Sequence, residues 1–79
     1  MRGRLEYTNN AGFGANFDGD YNSLDEAREA VRAIFPKAVE FDAVDSLWFY
    51  RDQESHDRDI DNADLNMGVV ATWKQKEDN

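Results

Sequence analysis

Residues 23–36 read SLDEAREAVRAIFP, and this stretch decides the fold. Ser23 stands where a helix cap is expected. Glu26, three residues later, is placed to bond back to the cap amide, which together make a capping box. Asp25, Glu26 and Glu29 lie near the positive end of the helix dipole. Leu24, Ala27, Val31, Ile34 and Phe35 share one helical face, and Arg28, Glu29 and Arg32 occupy the other. Pro36 disfavours helical backbone at the residue before it and ends the helix. The spacing therefore predicts one amphipathic helix over 23–35, with an apolar face that needs a second layer to cover it.

Strand patterns on both sides supply that layer. Residues 4–8 alternate, with Leu5 and Tyr7 on one side and Arg4, Glu6 and Thr8 on the other, as a half-buried strand does. Asn9, Asn10, Ala11 and Gly12 form a turn signal. Phe13, Ala15 and Phe17 then alternate with Gly14, Asn16 and Asp18, giving a second strand and a first hairpin, with a glycine-weakened loop as the competing reading. After the helix, residues 38–43 set Val39 and Phe41 against Glu40 and Asp42. Asp45-Ser46 reads as a turn. Residues 47–51 are apolar on both parities, with Leu47 and Phe49 on one face and Trp48 and Tyr50 on the other. Residues 67–73 place Met67, Val69, Ala71 and Trp73 on one face and Val70 and Thr72 opposite. The ends, 1–3 and 74–79, are expected to fray. The order is β-β-α-β-β-β. It implies a single α+β domain over 1–79, an antiparallel sheet of four to five strands with one helix packed on one face. One helix cannot cover both faces. Trp48 and Tyr50 therefore call for a second cover: the acidic segment that follows them, a second copy of the chain, or a partner.

Composition bounds the function. The chain has 79 residues, nine Lys and Arg against 17 Asp and Glu, and a formal net charge of −8. That balance excludes a general basic surface for nucleic acid, and Arg2, Arg4, Arg28, Arg32, Lys74 and Lys76 do not gather into one patch. The sequence has no cysteine, and so no disulfide framework, thiolate zinc site or cysteine nucleophile. No apolar run approaches the roughly 20 residues of a membrane span, and no signal-peptide pattern opens the chain. The expectation is a small complete cytoplasmic protein. Hydrophobic residues make up 41% of the chain and aromatic residues 13%, too much for a disordered acidic chain.

The acidic segment is the most unusual feature. Asp52, Glu54, Asp57, Asp59, Asp61 and Asp64 crowd into a short stretch with only Arg58 and His56 to oppose them. Read as extended chain, Asp57, Asp59 and Asp61 would stand roughly 6.6 Å apart on one side. That spacing resembles neighbouring phosphates on a nucleic-acid strand. A solvated loop is the simpler reading of the same run. Asp57 to Asn62 also begins like a calcium loop, but Asp64 falls where an apolar residue belongs and Gly68 where the bidentate Glu belongs. No metal or cofactor is expected. His56 is the only histidine. Its neighbour Ser55 is adjacent in sequence, which does not make the oriented base–nucleophile pair of a hydrolase. Gly12-Phe13-Gly14 lacks the Lys-Ser/Thr of a phosphate loop. The reading is that the chain is not an enzyme.

In length, charge, the helix over 23–35 and the acidic run 52–64, the chain resembles small acidic phage-encoded inhibitors of host defence, the anti-CRISPR type. The resemblance is one of size, charge and pattern, with no shared motif and so no residue carried across. It implies a non-enzymatic inhibitor in the host cytoplasm that occupies a basic surface on a nucleic-acid-binding protein or effector complex without binding nucleic acid itself. Trp48 and Tyr50 would be aromatic anchors, and Asp52, Glu54, Asp57, Asp59, Asp61 and Asp64 would supply charge complementarity. The alternative is a structural or assembly module that forms a homodimer through an apolar sheet face or edge.

Overall fold

A computed structural model of the protein describes residues 2–8, 18–61 and 68–76. Its elements are β1 (Gly3–Tyr7), β2 (Gly19–Tyr21), α1 (Leu24–Ile34), β3 (Val39–Asp42), β4 (Leu47–Tyr50), α2 (Gln53–Asp61) and β5 (Val69–Gln75). The five strands form one antiparallel sheet in the order β2-β1-β5-β4-β3. The α+β class, the antiparallel sheet and the helix on one face are as the sequence predicts. The last strand takes the central place, between β1 and β4, which explains why residues 69–71 are apolar on both parities: a central strand is covered on both faces.

The predicted capping box forms, with one difference. Ser23 Oγ accepts the Glu26 amide at 3.2 Å, while the Glu26 carboxylate reaches the amide of Asn22, one residue before the cap, at 3.2 Å. At the other end the Phe35 amide donates to Val31 O, and the Ala38 amide to Phe35 O. The chain thus turns through Pro36 and Lys37 with the Val31 and Phe35 carbonyls hydrogen-bonded.

The apolar face of α1 lands on the sheet. Leu5, Ala27, Val31, Ala38, Phe49, Val70, Ala71 and Trp73 form one buried cluster, with Leu24, Phe35 and Leu47 at its margin. Leu5, Val31 and Phe49 are fully buried, each contributing about 1.5–3 kcal/mol relative to exposure. Leu47 and Phe49 face α1 as the alternation predicts. Val69 and Val70 depart from the predicted parity. A register shift at Phe49/Tyr50 sets Tyr50 opposite Val69, and Val70 joins the α1-side cluster. The extra residue of a bulge shifts the alternation of the strand beyond it, so Val69 sides with Tyr50 and not, as expected, with Ala71 and Trp73.

Three further expectations need correction or fall elsewhere. The segment after Tyr50 is not an extended loop: residues 53–61 are helical. The ends are not frayed at 2–3 and 74–76. Gly3 and Arg4 pair with Gln75 and Lys74, the Lys76 amide donates to Arg2 O at 2.9 Å, and Lys76 Nζ lies 3.1 Å from Asp20. A Cβ on Gly3 would lie 2.3 Å from Trp73 Cζ2; only glycine lets the first strand lie against the indole. The second strand expected over 13–18 lies, but for Asp18, outside the described residues; the strand observed there begins at Gly19. No helix among the described residues is long and apolar enough to cross a membrane.

Candidate functional site

The sheet face away from α1 carries the predicted anchors and the acidic segment together. Asp52 begins α2: its Oδ1 accepts the Ser55 amide at 2.8 Å, as an N-cap carboxylate does. That bond, joined by the Ser55 hydroxyl, holds the Asp52 carboxyl below the usual carboxylate range. Gln53 Nε2 reaches Asp57 across one helical turn at 2.9 Å. This hydrogen bond, then the His56 contact at 3.1 Å, keeps Asp57 below its ordinary value as well. Both groups stay ionised at neutral pH.

The helix docks by polar residues. Ser55 and Asp59, one turn apart, are its buried positions. Gly68, at the entry to β5, packs against Ser55 so closely that a Cβ there would lie 2.5 Å from the Ser55 Cβ. The Gly68 amide donates to Asp59 Oδ2 at 3.0 Å. The Asp59 side chain is only 1% exposed; its other oxygen has no hydrogen-bond partner among the described residues and lies 4.0 Å from Arg58 Nε. Desolvation is the first cause, and the charge of Asp59 the second, that raises the Tyr50 phenol above its ordinary value.

Above α2's docking line lies an aromatic row. Phe41 is its hub, 6.0 Å from Trp48, 6.3 Å from Tyr50 and 5.9 Å from His56 between ring centroids. His56 also meets Tyr50 edge-on at 5.2 Å. Such tilted and edge-to-face pairs are favourable arrangements of ring quadrupoles. Trp48 is half-buried and its indole N–H donates to Ser46 Oγ at 2.9 Å.

The predicted site residues therefore part into three groups. Tyr50, at 2% exposure, and Asp59 are buried and belong to the packing of α2. Asp52 is a cap. Glu54, Asp57 and Asp61 are exposed and share one side of α2, since steps of three and four residues return to the same helix face; Arg58 stands beside them. Asp64 lies outside the described residues. The extended spacing of Asp57, Asp59 and Asp61 does not occur, because alternate residues of a helix point about 200° apart. The calcium-loop reading fails for the same reason: Asp57, Asp59 and Asp61 lie on the helix and do not converge. No group of three metal-ligating side chains stands together among the described residues. Phe41, which the site reading passed over, is marked by register: a turn over 43–46 sets Phe41 opposite Trp48.

Arg28 and Arg32 both reach from α1 to β3. Arg28 Nε lies 2.8 Å from Glu40 of β3 and Arg28 Nη1 3.0 Å from Asp25, while Arg32 reaches Glu40 at 3.5 Å. The Glu40 hydrogen bond, above all, raises the Arg28 guanidinium further above its ordinary value.

No family model, curated protein or solved structure matches this chain.

Proposed function

We propose that the chain is a non-enzymatic acidic binding protein that occupies a basic surface on a larger nucleic-acid-binding complex, as anti-CRISPR-type phage inhibitors do. The observation that carries the reading is the row Glu54, Asp57 and Asp61, outward on a helix whose inner side is fixed by Asp59 and Ser55. A rigid row of carboxylates loses little freedom on meeting a cationic groove. Their rise along the axis is about 4.5 and 6 Å. The half-buried rings of Trp48 and Phe41 lie on the same sheet face and offer apolar contact beside the charge. The chain's net charge of −8 steers it toward a basic partner and away from nucleic acid itself. The Ser55 hydroxyl turns to Asp52, and His56 meets Asp57 and Gln53 through Nδ1.

The test is displacement. A CRISPR effector complex bound to labelled target DNA is titrated with the wild-type chain and with the Glu54→Gln/Asp57→Asn/Asp61→Asn variant at low and high salt. Wild type is expected to release the DNA, with an inhibition constant that rises steeply with salt; the variant is expected to be weaker and less salt-dependent. Equal displacement by both proteins across the salt series refutes the role of the carboxylate row.

A further inference from the structure

β3 is the outermost strand on one side of the sheet, and its pairing with β4 determines which of its backbone groups are free. The Ala43 amide donates to Ser46 O at 2.9 Å, so Ala43 and Ser46 form a hydrogen-bonded pair. Antiparallel alternation then makes Phe41–Trp48 and Val39–Tyr50 hydrogen-bonded pairs, and Asp42–Leu47 and Glu40–Phe49 non-bonded ones. Glu40 and Asp42 thus turn both their N–H and their C=O groups away from β4, toward the edge that no described strand covers. Their side chains lie on the α1 side of the sheet, where Glu40 meets Arg28 and Arg32. Phe41, between them, lies on the other side against Trp48.

A second copy of the chain fits this edge badly. Two-fold antiparallel pairing sets outward-bonding residues of one copy against outward-bonding residues of the other. Within β3 the available registers place Glu40 opposite Asp42, Glu40 opposite Glu40, or Asp42 opposite Asp42. Each puts two carboxylates face to face, which is destabilising, and charges so placed are a known protection of sheet edges against self-pairing.

The same charges favour a cationic strand. Glu40 already holds two guanidinium groups. Asp42 is exposed and has no ion pair among the described residues. Beyond it, on the α1 side, a cleft of about 420 Å³ is lined by Leu47, Trp73, Asp42 and Asp45, with Arg28, already held by Asp25 and Glu40, on its α1 wall. A Lys or Arg entering there would lay its methylene stem on the apolar wall and its charge at the carboxylates.

Resting on the basic-partner reading above, we propose that the β3 edge captures an extended cationic segment of the partner protein by strand addition. The segment carries Lys or Arg opposite Asp42, an apolar or aromatic residue opposite Phe41, and an uncharged polar residue opposite Glu40. Main-chain hydrogen bonds to Glu40 and Asp42 supply affinity and the alternating side chains supply selectivity.

Two labelled peptides of equal charge test this. KVKFTVK has the required alternation; KGKPGPK cannot add as a strand. Binding is followed by fluorescence anisotropy and by the amide resonances of the ¹⁵N-labelled full chain. KVKFTVK is expected to bind and to shift the Glu40 and Asp42 amides, and KGKPGPK is not. Asp42→Pro removes an outward N–H without removing a β3–β4 bond, and is expected to raise the Kd at least about tenfold. Asp42→Asn keeps the N–H and is expected to weaken binding with a shallower salt dependence, which keeps the inference testable should the proline variant not fold. Equal binding of both peptides, with shifts at Glu54, Asp57 and Asp61, overturns strand addition and leaves the carboxylate-row reading standing. Binding of neither overturns strand addition too, and the DNA-displacement assay then decides the basic-surface reading separately.

Discussion

Gly68→Ala probes the joint between β5 and the buried side of α2. An added Cβ would stand 2.5 Å from the Ser55 Cβ and 3.3 Å from the Ser55 Cα and C. Ordinary carbon contact is about 3.5–4.0 Å, so the helix must retreat by about 1 Å. The retreat stretches the 3.0 Å bond from the Gly68 amide to Asp59 and opens the buried face of Ser55. Overpacking of this order costs about 1–3 kcal/mol. The lower freedom of the unfolded alanine chain offsets about 0.4–1 kcal/mol. The net loss is about 1–2 kcal/mol, a drop of about 4–16 °C in Tm for a domain of this size. The assay is urea denaturation followed by circular dichroism, run as a double-mutant cycle with Ser55→Gly. That second change removes the clashing atom at a cost of roughly 0.5 kcal/mol in helix propensity. In the Ser55→Gly background the penalty of Gly68→Ala should shrink by about 1 kcal/mol or more, a coupling typical of residues in contact. The same penalty in both backgrounds refutes the docking of α2 through this contact.

Two further perturbations follow from the caps. Ser23→Ala removes the acceptor of the Glu26 amide and is expected to lower stability by about 1 kcal/mol, read from the denaturation midpoint, with Ser23→Asp recovering most of it. Asp52 and Asp57 have folded pKa values below the ordinary one, so their stabilising contributions are complete above the unfolded value of about 3.9 and fade as pH falls through the lower folded values. Stability should therefore decline below about pH 4, and Asp52→Asn should flatten that decline in an acid titration monitored by circular dichroism; an unchanged slope would show that the cap does not carry it.

How far the sequence leads differs between the two faces of the sheet. The α1 face is legible because its signals agree: a Ser cap with Glu three residues on, apolar residues at helical spacing, a proline stop, and strands whose parity sets Leu5, Leu47 and Phe49 toward the helix. The fold class follows from these. The other face is harder. The buried positions of α2 are Ser55 and Asp59, so its inner stripe is polar and apolar periodicity has nothing to register, while Asp, Ser and His are weak helix formers. The local signs are an Asp at 52 with Ser at 55 and a Gln–Asp pair at 53 and 57, and they count only once the capping geometry is sought. Val70 defeats parity for another reason: a bulge opposite Tyr50 is a property of two strands, and one strand's alternation does not contain it.

The acidic run divides its labour, and that division bears on function. Had 52–61 been extended, every second carboxylate would have shared one solvated side and the segment would have been interchangeable with any charged loop. As a helix it commits Asp52 to the cap and Asp59 to the Gly68 amide, and these two acids, one at the helix start and one buried, fix the direction of Glu54, Asp57 and Asp61. The outward row is thus as rigid as the joint at Gly68. The β3 edge lies beside the same aromatic row, linked to α2 through Phe41 and His56. A partner that paired with Glu40 and Asp42 would meet Phe41 on its way to the helix. Loosening α2 by Gly68→Ala should therefore weaken contacts made by the carboxylate row more than strand addition at β3, whose donors and acceptors are held by the β3–β4 ladder.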